Sequence, residues 1–143
     1  VVGSYKYKNE IRALNWSAKH MKRGVYWDWN LNDYKRTVDA LVYDLTRAKA
    51  SAVFDMCVQL SPVFTGGYRY SWRISEGSPA NYYVGRQIPG TVLPPPTPPR
   101  LSTQFYRKFY VSNGSPYASR IENGWSNQAP NGVMNVAIKL VSL

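Results

Sequence analysis

The sequence predicts an α+β fold in which one long helix packs on a small antiparallel sheet. One stretch repeats apolar residues at helical spacing, two later stretches alternate in the period of a strand, and a third has aromatic residues on both faces, as a central or covered strand does. We expect the strands at about residues 68–76, 104–112 and 133–142. A short helix is predicted before the last strand, and a long proline-rich loop is inserted between the first two.

The long helix is predicted from about Asp33 to Leu60. Asn32 is suited to cap its start, and Pro62 ends it because the residue before a proline is pushed out of the helical region. At 1.5 Å per residue its length is about 42 Å, so part of its face is expected to serve another subunit. The apolar stripe comprises Tyr34, Val38, Leu41, Val42, Leu45, Ala48, Ala52, Val53, Met56, Cys57 and Leu60.

Composition predicts a globular domain with an acidic partner. The chain has 143 residues, 44% of them hydrophobic, and a formal charge of +10. Such a charge favours nucleic acid, an anionic membrane surface or an acidic protein face. Cys57 and His20 are the single cysteine and histidine, so one chain provides neither a disulfide framework nor a Cys/His zinc site. No apolar run is long enough for a membrane span, and we expect a soluble protein made in a reducing cytoplasm.

Residues 1–30 are predicted to form a basic, aromatic N-terminal arm, which precedes a single α+β domain over residues 31–143. Its cations are expected to bind phosphates while its rings stack on bases. Alternatively, the aromatic residues pack on a neighbour or on the chain's own core, and the lysines stay solvated. The contact residues for nucleic acid or another partner would be Lys6, Lys8, Arg12, Lys19, Lys22 and Arg23.

The first strand follows a turn at Thr65-Gly66. Alternation predicts that Arg69 and Arg73 lie on its solvated face, with a contact to an acidic subunit as the second role. The insert, residues 77–103, has no sustained period, and its proline run favours stiff polyproline II. We hypothesise that this stiff insert reaches a neighbouring subunit.

The closing segment contains three Asn-Gly pairs, which are typical of turns. Ser115 is a predicted N-cap and Pro116 a predicted first helical residue. Gly124 is placed to end the helix in a left-handed conformation. We therefore predict a short helix from Pro116 to Asn123, followed by the last strand.

Two segments together resemble the head-tail joining proteins of tailed bacteriophages, the neck or tail-completion family. The resemblance covers about half of the chain. It differs from the family pattern at Phe64, where an acidic residue commonly precedes Thr-Gly, and in the length of the insert. The matching residues are Ser61, Pro62, Thr65, Gly66, Ser71 and Trp72, then Pro116, Tyr117, Ala118, Ile121, Glu122, Gly124, Ser126, Gln128, Ala129, Pro130, Gly132 and Val133.

The resemblance implies the same fold and a structural role in the virion. It implies a homo-oligomeric ring, expected to be a hexamer, at the head-tail junction after synthesis in the host cytoplasm. Its partners would be adjacent connector and tail proteins and the DNA that passes through the ring. The implied subunit contacts are Tyr117, Ile121, Glu122, Arg69 and Arg73, and the implied turn residues are Thr65, Gly66, Gly124, Pro130 and Gly132.

Several alternatives stay open. Glu122 is either an intersubunit ion-pair partner or a solvated charge at a helix end. The protein is alternatively a tail terminator ring that caps the tail tube, or a basic nucleic-acid-binding module.

We expect no enzymatic activity and no cofactor, because Asp28, Asp33 and Glu76 have no acid-base partner at a recognisable spacing. The sequence also lacks a Ser-His-Asp, Cys-His or phosphate-loop pattern.

Overall fold

A computed structural model describes residues 31–104 and 107–142. The chain divides into two compact units, Val1–Ala48 and Lys49–Leu143. The predicted arm of residues 1–30 lies outside the described residues. Within the described parts, the elements are α1 (Leu31–Leu60), α2 (Gly67–Tyr70), β1 (Trp72–Glu76), β2 (Phe109–Asn113), α3 (Ala118–Glu122) and α4 (Met134–Val141).

Helix α1 has 30 residues and confirms the predicted long helix, with a start two residues earlier than predicted. Its end is tied to β1 by a buried chain of hydrogen bonds. The Trp72 indole N–H donates to the Ser61 hydroxyl at 2.7 Å, and that hydroxyl donates to the Cys57 carbonyl at 2.6 Å. One of the carbonyls left unpaired at a helix C-terminus thereby acquires a donor.

Residues 31–48 of α1 keep the predicted period but bury a different stripe. Ala40 and Tyr43 are buried, whereas Tyr34, Val42 and Leu45 are exposed. The prediction was wrong for these three residues because apolar side chains occur around much of this half of the helix. Periodicity alone then does not identify the buried face.

The second unit is built on an apolar core. Phe54 of α1 is only 2% exposed, and sequence analysis omitted it from the stripe. Neighbours at Val53 and Met56 pack against the core from its edge. The buried cluster comprises Phe54, Cys57, Tyr68, Trp72, Ile74, Ala129, Val133 and Ala137. It joins α1 to the sheet and to α4, which is the arrangement of an α+β fold.

The sheet has two antiparallel strands. Trp72 pairs with Asn113, and Glu76 pairs with Phe109. Trp72 and Ile74 are buried while Arg73 and Ser75 are half-buried, so the predicted alternation holds along β1. Strand β2 begins later than the predicted residue 104, at Phe109.

Residues 68–70, predicted as the start of the first strand, belong to the helical turn α2 instead. Gly66 has a φ of 77°, and its carbonyl accepts a hydrogen bond from the Tyr70 N–H at 2.8 Å. Ser71 reinforces the turn, because its hydroxyl donates to the Gly67 carbonyl at 2.7 Å.

The predicted third strand, residues 133–142, is wrong, because Met134–Val141 forms helix α4. Val133 and Ala137 are buried one helical turn apart. Ala137 is apolar at a position that strand alternation assigned to the polar face, so a short apolar run of this kind fits both periods. The short helix α3 does precede it, but it starts at Ala118, and no side chain caps it. The predicted Ser115 cap is therefore also wrong.

Beyond Glu76, the described residues of the insert form no helix or strand before Phe109. Hydrogen bonds nevertheless attach this segment at several points. Leu93 N–H donates to the Thr65 carbonyl at 2.9 Å, and Gly114 N–H donates to the Tyr82 carbonyl at 2.9 Å. The insert therefore follows the surface of the second unit rather than leaving it at Glu76.

Phe54→Ala should lower the free energy of unfolding by about 3 to 5 kcal/mol, because it leaves a cavity between α1 and the sheet. Urea denaturation monitored by tryptophan fluorescence measures the loss. Gln59→Ala on the exposed face of the same helix is the matched control and should change stability by less than about 0.5 kcal/mol. Equal losses for both variants would show that this core does not support the fold.

Candidate functional site

The candidate site is centred on Glu122, at the end of α3. Its Oε2 accepts hydrogen bonds from the backbone N–H groups of Val133 at 3.1 Å and Met134 at 3.0 Å. Its Oε1 accepts one from the Asn135 N–H at 2.7 Å. These donors lie at the start of α4, where helical N–H groups lack internal partners and the helix dipole favours negative charge. The carboxylate therefore caps α4 from a different helix.

Two glycines allow this closed arrangement. Gly132 has a φ of 84°, and a Cβ there would lie 2.9 Å from Glu122 Oε1. Gly124 has a φ of 86°, and a Cβ there would lie 2.5 Å from the Pro130 carbonyl oxygen. Both positions combine left-handed backbone with close approach of another group, which only glycine accepts without strain. The two Asn-Gly turns of the motif thus position Glu122 against α4.

Gln128 connects the two segments that carry the family resemblance. Its side-chain Oε1 accepts a hydrogen bond from the Val63 N–H at 2.9 Å, and its Nε2 donates to the Val63 carbonyl at 3.2 Å. The side-chain amide thereby satisfies both backbone groups of one residue, as a paired strand would. This double hydrogen bond fixes the backbone beside Phe64.

A cleft of about 280 Å³ lies between these two segments. We call it the aromatic cleft. Tyr117 and Ile121, both predicted interface residues, line one side, and the Thr65-Gly66 turn lines the other. The remaining lining residues include Pro62, Val63, Phe64, Tyr68, Ser126 and Gln128. The structure therefore brings the two resemblance segments together at one surface.

Large apolar side chains are exposed at the aromatic cleft. Phe64 is 82% exposed, and Trp125, next to the lining residue Ser126, is 72% exposed. Arg120 covers one face of the Trp125 ring, with the guanidinium carbon 5.2 Å from the ring centroid. Exposed aromatic residues beside an arginine are the composition enriched in protein interfaces.

The insert borders the aromatic cleft. A Cβ added to Gly66 would lie 2.6 Å from the Leu93 carbonyl oxygen, so the insert passes directly over the turn. The Gln87 side chain also lies near this turn, because its Cγ would be 3.4 Å from a Cβ added to Gly67. The exposed side chains of Ile88 and Val92 fall between these two contacts.

Arg69 and Arg73 contribute to intramolecular contacts in the described structure. Arg69 donates to the Leu93 carbonyl at 2.7 Å and so holds the insert. Arg73 lies over the Tyr82 ring, 4.0 Å from its centroid, and donates to the Trp72 carbonyl at 2.7 Å. Both side chains are half-buried, unlike the solvated cations that strand alternation predicted.

The negative charge of Glu122 also affects the core. Burial, with a further contribution from Glu122, raises the pKa of the Cys57 thiol from 9.0 to about 12. The same two causes raise the pKa of Tyr68. At neutral pH both groups keep their protons. Cys57 is thus a small core residue whose thiol is not activated as a nucleophile.

The described residues were also searched for a metal site and for a membrane-spanning helix. No group of three or more His, Cys, Asp or Glu within residues 31–104 and 107–142 is placed to hold a metal ion. In the same part of the chain, no helix is long and apolar enough to cross a membrane. His20 and the arm cations Lys6, Lys8, Arg12, Lys19, Lys22 and Arg23 lie outside these ranges.

Comparison with known proteins identifies no relative. No protein-family model matches the chain, and neither a curated protein nor a solved structure is significantly similar to it.

Glu122→Ala should destabilise the fold by about 1.5 to 3 kcal/mol, because it removes the charged acceptor of three N–H groups. The measurement is the urea midpoint together with hydrogen exchange at α4 amides. Asp55→Ala removes one exposed acid from α1 and is the charge-matched control, expected within about 0.5 kcal/mol of the parent. Unchanged exchange at the Val133 to Asn135 amides in Glu122→Ala would rule out the cap.

Stability should fall as pH rises from about 9 towards 12, since folded Cys57 keeps its proton to a higher pH than the unfolded thiol. This contribution is complete below the unfolded pKa and is lost above it. In Cys57→Ala the decline should be shallower, and Tyr68 should cause the part that remains. Urea unfolding at a series of alkaline pH values measures both curves. Parallel curves for parent and variant would contradict the assignment.

Proposed function

We propose that this protein is a structural virion protein of a tailed bacteriophage, forming a ring in the neck that joins the portal or connector to the tail. The proposal starts from the resemblance of residues 61–72 and 116–133 to head-tail joining proteins. What supports it further is that these distant segments meet at one surface, through the hydrogen bonds between Gln128 and Val63.

The observation that carries the proposal is the exposed aromatic surface at the cleft. Phe64 and Trp125 are among the most exposed large apolar side chains of the described residues. The Gln128 hydrogen bonds hold the backbone next to Phe64, so the backbone there loses little conformational entropy when the ring is covered. An exposed aromatic residue of this kind is suited to anchor a subunit contact.

Ring formation follows if the aromatic cleft of one subunit contacts a different face of the next. Such a head-to-tail contact repeats around an axis and closes when the rotation per subunit divides a full turn. The exposed apolar residues on the first half of α1, Tyr34, Val42 and Leu45, provide candidate residues for a second contact surface. In this proposal the mechanism is assembly, and no chemical step is involved.

Replacing Phe64 and Trp125 together by serine should shift the protein from ring to monomer. We expect the concentration for half-assembly to rise at least about tenfold, since buried aromatic anchors contribute most of an interface's energy. Sedimentation velocity of the full chain over a dilution series measures this shift. Circular dichroism of the variant should match that of the parent.

Replacing Ile138 and Leu140 by serine is the matched control, because it removes two exposed apolar side chains from α4. This control should assemble like the parent. If it disrupts the oligomer while the Phe64 and Trp125 variant assembles normally, the aromatic cleft is not the subunit contact. A parent chain that stays monomeric at all concentrations would count against spontaneous ring formation.

A further inference from the structure

A second, open groove lies at the end of the two-stranded sheet where β1 ends and β2 begins. It has a volume of about 620 Å³ and lies between the end of β1 and the returning part of the insert. Ser75, Ser102 and Thr103 contribute hydroxyl groups to its lining. We call it the hairpin groove. None of its lining residues is shared with the aromatic cleft.

Three exposed cations border the hairpin groove. Arg100 lines it directly. Arg107 donates through Nη2 at 2.7 Å and through Nε at 3.2 Å to the side-chain oxygen of Gln104, which is also a lining residue. Lys108 follows Arg107 in the chain, and its backbone carbonyl accepts a hydrogen bond at 2.9 Å from the N–H of Gly77, the residue after the lining residue Glu76.

One acid lies in the hairpin groove, and it is already engaged. Glu76 Oε1 accepts a hydrogen bond from the Ser102 N–H, which fixes the returning segment against β1. Across residues 49–143 the sequence has nine Lys and Arg against three Asp and Glu. Residues 77–108 contain four cations and no acid. Within the lining, Arg100 and Glu76 balance in charge, so the positive charge at the groove comes from the neighbouring Arg107 and Lys108.

We propose that the hairpin groove binds the phosphate backbone of double-stranded nucleic acid. Two of its three cations are arginines, whose planar guanidinium presents paired donors to phosphate oxygens. Serine and threonine hydroxyls are further common donors to phosphates. Hydrogen bonds at Glu76 and Gly77 hold the backbone that carries the cations before binding, so ordering of the backbone adds little to the entropic cost of association.

A nucleic-acid site at the hairpin groove is a function separate from ring formation. Its cations are also different residues from the arm cations of residues 1–30. Cations of residues 1–30 and cations of the hairpin groove would each release counterions from DNA, so total charge does not distinguish them. Removing a defined set of cations from one place does distinguish them, because each lost phosphate contact changes the salt dependence of binding by a known amount.

The test measures the affinity of the full chain for a fluorescent DNA duplex of random sequence over a range of salt concentrations. In the groove variant, Arg100, Arg107 and Lys108 are each replaced by glutamine. Its plot of log affinity against log salt should become less steep by about 2 to 3, or about 0.9 per lost phosphate contact. Affinity at low salt should fall at least about tenfold.

The control variant replaces Lys49, Arg86 and Lys139 by glutamine, which removes the same charge from exposed positions elsewhere in the second unit. It should keep the parent slope. If both triple variants keep that slope, the groove does not bind DNA and the arm is the remaining basic element. If the slope falls equally in both triple variants, DNA binds over the whole basic surface rather than at the groove. Either result overturns the proposal.

The variant Glu76→Gln should strengthen DNA binding, whereas the groove variant should weaken it. The amide oxygen still accepts from Ser102, while the negative charge in the groove is removed. Affinity for the duplex should rise by up to about fivefold, the scale of one charge at close range in water. Unchanged or weaker binding by Glu76→Gln contradicts the proposal.

A polyglutamate peptide tests the choice of ligand. If the groove variant loses as much affinity for this peptide as for DNA, the groove recognises acidic protein and the nucleic-acid assignment is wrong. Sedimentation velocity on the same variants keeps the two proposals separate. A groove variant that loses DNA binding but keeps its oligomeric state supports the groove proposal and leaves ring formation untouched. A parent chain that stays monomeric but binds DNA counts against ring formation and leaves the groove proposal untouched.

Discussion

The contact between the Glu122 carboxylate and the start of α4 determines how the end of this chain folds. One side chain accepts hydrogen bonds from three successive backbone N–H groups, at Val133, Met134 and Asn135. Those groups have no partner within the helix, so α4 begins where the carboxylate can reach it. Gly132 permits that reach, because a side chain there would meet the Glu122 carboxylate. Loss of either residue affects the same contact.

This contact has consequences for the core and for the surface. Because α4 begins at Met134, Val133 and Ala137 lie in the core with Phe54. The segment between α3 and α4 is then drawn into a tight loop, and Gln128 within that loop binds Val63. Phe64 is held exposed as a result. A single half-buried carboxylate thus connects the packing of the last helix with the surface that we propose as a subunit contact.

Sequence reasoning recovered the features that depend on long or local patterns. The period of α1 persists over many turns, and the alternation of Trp72 and Ile74 with Arg73 and Ser75 identified β1. It failed for α4, where apolar residues fit both periods and the deciding group, Glu122, is eleven positions before Val133. Phe54 was missed because a broad apolar helix surface does not reveal which residues the sheet covers. The cleft requires residues 61–67 and 117–128 to meet, which spacing alone does not predict.

Two surfaces of the second unit suggest a division of roles. Exposed aromatic side chains lie at the aromatic cleft, which suits contact with protein, whereas arginines lie at the hairpin groove, which suits contact with phosphate. A neck ring requires both kinds of surface if its subunits hold one another and also meet the genome. The most direct test of the proposed function is immunogold labelling of this protein on intact tailed particles released by the cells that encode it. The account predicts label confined to the head-tail junction. Label elsewhere on the particle, or none with an accessible epitope, would contradict it.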